Sequence, residues 1–156
     1  MSVYIREFRK EDFLAFEPIE ILPKAEIEDM VFAQAIEDSG LAITGVKDGK
    51  VVGCGGVHPT ECEDQGEVWF RISKECLNHK IETLRTVKQA LKIIEETYPF
   101  EQLNAVIKGC FEKSVRLVES LGFARTQTTT HNGKEWFIYS KFVNKDNLIE
   151  LESKQC

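Results

Sequence analysis

The chain has 156 residues, 42% hydrophobic, 29% charged and 10% aromatic, which suits one ordinary domain with a packed core and excludes a disordered or fibrous chain. A net charge of −6, with a pI near 5.2, argues against nucleic acid as a partner, because phosphate-backbone binding needs clustered Lys and Arg. No apolar run is long enough for a membrane helix, and charged residues from Arg6 to Asp12 stand where a signal peptide would need its apolar core, so the chain reads as cytoplasmic with no membrane partner.

Val3 to Phe8 alternates apolar and polar residues and predicts a first strand, followed by a short helix starting near Asp12. Pro18 and Pro23 interrupt it, and a second helix is expected from Lys24 to about Asp38, stopped by Ser39-Gly40. Leu41 to Val46 and Lys50 to Val57 form a hairpin across Lys47-Asp48-Gly49, because Asp-Gly suits the positive φ angles of a tight hairpin turn. Gly53, Gly55 and Gly56 within the second strand imply a bulge, or a place where another backbone or a ligand comes close. A polar loop, Pro59 to Gly66, leads to a third strand, Glu67 to Ile72.

From His79 to Thr97, apolar residues at Ile81, Leu84, Val87, Leu91 and Ile94 give an amphipathic helix whose core face is Leu84, Val87, Leu91 and Ile94. Leu103 to Ile107 is the next strand, Phe111 to Leu121 a helix ending at Gly122, and Phe123 to Thr130 pairs with Lys134 to Val143 across His131-Asn132-Gly133. Residues 1–143 therefore read as one α/β domain of order β-α-α-β-β-β-α-β-α-β-β. Residues 144–156 form a polar tail with a short helix at Leu148 to Leu151.

The five cysteines, at 54, 62, 76, 110 and 156, form no C-x-x-C pair, and His58, His79 and His131 are scattered. Cys54, His58 and Cys62 lack a fourth zinc ligand, so neither a metal site nor a disulfide is expected.

The Asp48-Gly49 turn followed by Val51-Val52-Gly53-Cys54-Gly55-Gly56, the strand Val68-Trp69-Phe70-Arg71-Ile72, and Ser120-Leu121-Gly122-Phe123 before a final hairpin occur in the order seen in GCN5-related N-acetyltransferases (GNAT). Over roughly residues 3–142 the chain resembles a divergent member of that superfamily, with its mixed central sheet flanked by helices. A looser likeness, to GNAT-like bacteriophage proteins including internal virion proteins of short-tailed phages, rests on Arg71-Ile72-Ser73-Lys74, the charged helix, and the stretch from Ser114 to Gly122.

The resemblance implies acetyl-CoA as cosubstrate, with its pantetheine arm on the backbone of Phe70, Arg71 and Ile72 and its pyrophosphate on the helix start at Lys80 and Ile81. The family's Arg/Gln-x-x-Gly-x-Gly/Ala motif is replaced here: Lys80 and Glu82 stand about where the two small residues belong, and a carboxylate beside a pyrophosphate is unfavourable. The helix before Gly122-Phe123 also departs, with Phe111, Ser114 and Val118 in place of the family's Asn, Ala and Tyr. Valine cannot donate the proton that this Tyr gives the departing thiolate, so Ser114 is the candidate replacement, with Ser120 and Cys110 as other nearby donors. Glu67 matches the carboxylate that takes the amine's proton through water, and His58 is the runner-up base.

The function implied is an N-acetyltransferase in which a neutral primary amine attacks the acetyl thioester directly. The acceptor, a small molecule or a protein amine, would enter over residues 12–38; a homodimer is compatible with this reading. The alternative is a catalytically degenerate GNAT-like binding or assembly protein of phage origin, since fold does not imply function.

Overall fold

Two tight turns set the register of both hairpins. In a computed structural model that describes residues 3–19 and 26–143, Asp48 and Asn132 each sit at φ 52°, followed by Gly49 at 77° and Gly133 at 74°. Positive φ at both central residues is the type I′ geometry that matches strand twist. The flanking pairs close accordingly, Lys47 against Lys50 and His131 against Lys134.

The strands are β1 (Tyr4–Glu7), β2 (Ala42–Lys47), β3 (Lys50–Pro59), β4 (Gln65–Ile72), β5 (Gln102–Lys108), β6 (Ala124–His131) and β7 (Lys134–Phe142). They hydrogen-bond in the order β1-β2-β3-β4-β5-β7-β6, with β4–β5 parallel. Among the described residues, three helices flank the sheet: α1 (Glu26–Ser39), α2 (Lys80–Thr97) and α3 (Glu112–Ser120). This is the expected α/β architecture, with one difference. The first predicted helix is a single 3₁₀ turn, Lys10–Leu14, because Pro18 leaves no room for further turns. The tail and its short helix lie outside the described residues.

Described residues group into two units, one within Met1–Gly56 and Phe70–Lys92, the other within Val57–Trp69 and Ile93–Cys156. The first buries Phe8, Phe13, Ala33, Ile36, Val46 and Ile72; the second buries Val57, Leu103, Ala105, Ile107, Val118 and Tyr139. Along α2, Leu91 and Ile94 are buried as expected, whereas Leu84 and Val87 are half-buried. The glycines of β3 admit neighbouring backbone: a Cβ on Gly53 would lie 3.2 Å from the Arg71 carbonyl, and one on Gly56 would overlap Leu41 and Ala42 of the β2 side.

The C-terminus of α3 shows why Leu121-Gly122-Phe123 is a stop signal. Gly122, at φ 93°, lets Phe123 N–H reach the Val118 carbonyl (3.1 Å) and its own N–H reach that of Glu119 (3.2 Å), the paired bonds of a Schellman cap.

Among the described residues no helix is long and apolar enough to cross a membrane, and no three His, Cys, Asp or Glu side chains gather as metal ligands. Cys54, Cys76 and Cys110 are free, but Cys62 is disulfide-bonded. The expectation of a chain without disulfides is corrected here, since the lack of a C-x-x-C pair does not exclude a bridge.

Candidate active site

Strand β4 carries most of the candidate residues, and alternation sorts them: Glu67, Trp69 and Arg71 share one face, Val68, Phe70 and Ile72 the other. The neighbours agree. Trp69 stacks on His58 of β3, ring centroids 6.2 Å apart, and the Arg71 charge is felt by Cys54, four residues earlier on that strand.

Backbone groups along β4 alternate too. Ser73 donates its N–H to the Val52 carbonyl (2.9 Å), and the Arg71 carbonyl approaches Gly53, so Arg71 and Ser73 turn toward β3. Phe70 and Ile72 therefore point their N–H and C=O away from it. The Ile72 carbonyl already accepts the Ile19 N–H (2.8 Å), part of an antiparallel bridge between Pro18 and Ser73. The ladder from β4 to β5 consists of Gln65–Gln102, Gly66–Leu103 and Glu67–Asn104, so Phe70 lies three residues beyond its last pair. Of the three residues expected to present backbone, Phe70 has the least engaged groups.

After β4 the chain makes a 3₁₀ turn, Lys74–Asn78, capped by the Ser73 hydroxyl accepting from the Glu75 N–H, and α2 begins at Lys80. The first helical hydrogen bond there runs from Thr83 N–H to the His79 carbonyl (2.9 Å), so the amides of Lys80, Ile81 and Glu82 have no intrahelical acceptor. His79, Lys80 and Ile81 are exposed, Ile81 to 78%. The Glu82 carboxylate turns inward instead: Oε2 pairs with Lys47 Nζ at 3.2 Å, and Oε1 is buried without a hydrogen-bond partner. It borders a cavity of about 170 Å³ with Val52, Cys76, His79 and Thr83. The repulsion expected of Glu82 toward a phosphate is therefore offset by Lys47, a partner 35 residues earlier that local spacing could not reveal.

Glu67 and His58, the two candidate bases, are brought together on adjacent strands. Burial pushes the His58 pKa down, and the nearby Glu67 carboxylate only partly opposes this, so the imidazole is neutral at neutral pH. Beside them, Asn104 donates to Gln65 Oε1 (3.1 Å) and accepts from Ser140 (2.7 Å) and Gln102 (2.8 Å).

Ser114 is half-buried in the first turns of α3. Val118, at the position of the family's Tyr, is 1% exposed and part of the core. A buried hydroxyl that the sequence reading missed lies close by in the fold: Tyr139 of β7 donates to Glu119 Oε2 on α3 (2.9 Å). Burial, with the adjacent Glu119, raises its pKa, which fits a tie between helix and sheet. Only its place on the apolar face of a predicted strand could have marked it.

In the same unit as Arg71, Asp12 is 4% exposed and accepts from Arg6 twice (2.8 and 2.9 Å), from the Arg9 N–H (2.9 Å) and from Thr44 (2.8 Å). Burial alone would raise its carboxyl pKa, but these donors hold it below the ordinary range. The network fixes the turn that carries Phe13, whose ring lies 4.6 Å from the Arg71 guanidinium carbon.

No protein-family model matches the chain, and no curated protein matches it by sequence. Solved structures do match. An N-acetyltransferase from Staphylococcus aureus Mu50 superposes with a TM-score of 0.72 at 16% identity, over 92% of this chain and 100% of that one. A GNAT-family acetyltransferase from Streptococcus pneumoniae gives 0.68 at 13% identity, over 92% and 100%. The protein yncA from Salmonella typhimurium, solved with its cofactor acetyl-CoA, gives 0.66 at 14%, over 93% and 96%. At such identities the likeness is one of architecture: the chain has the fold of the GNAT acetyltransferases.

Proposed function

We propose that this protein is an N-acetyltransferase that uses acetyl-CoA as acetyl donor and a primary amine as acceptor. The observation that carries this reading is the junction of β4 and α2, where three amides without helical partners stand beside exposed Lys80 and His79 at the place where the fold receives a pyrophosphate. Glu82 does not spoil the junction, because its charge is paired with Lys47.

Acetyl-CoA supplies an activated thioester, and the chain's contribution is chiefly positioning. The Phe70 N–H and C=O, which lie beyond the last β4–β5 pair, would hold an extended amide chain as a β-ladder does, while the start of α2 holds negative charge. Glu67 takes the amine's proton through water as nitrogen attacks the thioester carbonyl, with neutral His58 beside it as a second acceptor. Ser114 is the hydroxyl on α3 assigned to the departing sulfur, since Val118 carries no proton and the Tyr139 hydroxyl is committed to Glu119.

The test is mass-spectrometric detection of acetyl transfer to a panel of amines, run beside the Glu67→Gln variant. Transfer that falls about a hundredfold in the variant supports the assignment of the base. Transfer unchanged in the variant removes Glu67 from the mechanism, and the absence of transfer to any amine overturns the reading.

A further inference from the structure

Among the described residues no ion pair includes Arg71. Elsewhere, Arg6 is paired with Asp12, Lys47 with Glu82, Lys50 with Glu75, Lys74 with Glu17 and Lys141 with Glu95. Arg71 is half-buried, yet no described carboxylate or carbonyl accepts from its guanidinium, and its Nε is fully buried with no hydrogen-bond partner. Asp12, the acid whose charge also reaches Cys54, has both oxygens taken by Arg6, Arg9 and Thr44. Cys54 does not balance the charge, for burial pushes its thiol up to about 12 and keeps it neutral.

What Arg71 does have is aromatic: the Phe13 ring at 4.6 Å and the Phe16 ring at 6.0 Å. A ring face steadies a guanidinium from one side and leaves its in-plane donors unanswered. Leaving such donors dry is costly unless something supplies an acceptor. An arginine in this half-buried aromatic setting, with no ion pair among the described residues, has donors to offer a ligand. A guanidinium fork matches a planar carboxylate through two parallel bonds, and one fixed positive charge balances one negative charge.

We infer that Arg71 binds the carboxylate of the acceptor, so that the amine acetylated belongs to an amino-acid-like molecule carrying a free acid group. This deepens the acetyltransferase reading and rests on it for the fate of the amine, although the carboxylate site is testable by itself.

The experiment measures binding of the twenty common L-amino acids and their amides to the intact protein by thermal shift, with and without coenzyme A, followed by acetylation assays with the same set and with spermidine. At least one free acid is expected to bind about tenfold or more tightly than its amide, and Arg71→Met to lose that difference. Arg71→Lys, which keeps the charge but not the fork, should recover only part of it. Equal binding of acid and amide by the wild-type protein, or no binding by any member, overturns the inference without need of a variant. Transfer to spermidine but to no carboxylated amine refutes the carboxylate site and leaves the transferase intact. Acid binding without any acetyl-CoA binding does the reverse.

Discussion

Replacing Asp12 with asparagine probes the buried network that fixes the turn beneath Arg71. The carboxylate accepts four hydrogen bonds, two of them from Arg6, with its own side chain 5% and that of Arg6 24% exposed. Asparagine keeps one acceptor oxygen but opposes an NH₂ to a donor and leaves Arg6 without its charge partner. Removing one member of a buried pair costs about 3–5 kcal/mol; because Arg6 reaches solvent and can rehydrate, about 2–3 kcal/mol is expected here. With a urea slope of about 1–2 kcal/mol per molar for a domain of this size, the midpoint should fall by roughly 1–3 M at pH 7. Thr44→Val removes one bond to the same oxygen from a fully buried hydroxyl and should cost about 1 kcal/mol. The Asp12 pKa is lower in the folded state, so its stabilisation is present above the ordinary carboxylate pKa, about 4, and is lost as pH falls through the folded value. The gap between wild type and variant should therefore narrow in acid. A midpoint unchanged within about 0.3 M at pH 7 would refute the assignment of this network as a stabilising one.

Lys80→Ala should weaken acetyl-CoA several-fold in titration calorimetry and leave the melting temperature unaltered, because the side chain is exposed. Val118→Tyr, which restores the family's residue on paper, should destabilise by about 1–3 kcal/mol in chemical denaturation without raising turnover, since the position is 1% exposed and offers no space for a ring. The His58 pKa is depressed, so its neutral form prevails above the ordinary value of about 6.5, and stability is lost as pH falls from there through the folded pKa. Turnover should be flat near pH 7–8 and decline on the acid side. His58→Gln should alter the acid limb of that profile if the imidazole takes part, and a profile identical to wild type would assign the limb to other groups.

Features written in short spans of sequence were legible. Asp48-Gly49 and Asn132-Gly133 dictated their own turns, and Leu121-Gly122-Phe123 its own cap, because in each case the signal and the geometry occupy the same three or four residues. The apolar spacing of α2 likewise gave the helix, though it could not show that Leu84 and Val87 would be less buried than Leu91 and Ile94. The candidate site was harder to read, since its chemistry depends on partners far away in the chain. Glu82 looked hostile to a phosphate until Lys47 was found against it, and Arg71 was expected to act through its backbone until the structure showed aromatic rings beside its side chain and, among the described residues, no ion pair for it. The Tyr139–Glu119 tie was hidden for the same reason. That the Ile72 carbonyl is bound by Ile19 N–H while the Phe70 backbone is less engaged follows from the bridge between Pro18 and Ser73, which no local pattern announces.

The central claim, that the β4–α2 junction receives acetyl-CoA, is met most directly by titrating the ligand into the folded wild-type protein in a calorimeter. The account predicts one site per chain, saturable by acetyl-CoA and by coenzyme A, with affinity falling as salt is raised because the start of α2 and Lys80 hold the pyrophosphate. A flat titration from protein that melts cooperatively would contradict it, and would leave a GNAT-fold protein whose function lies in binding other molecules.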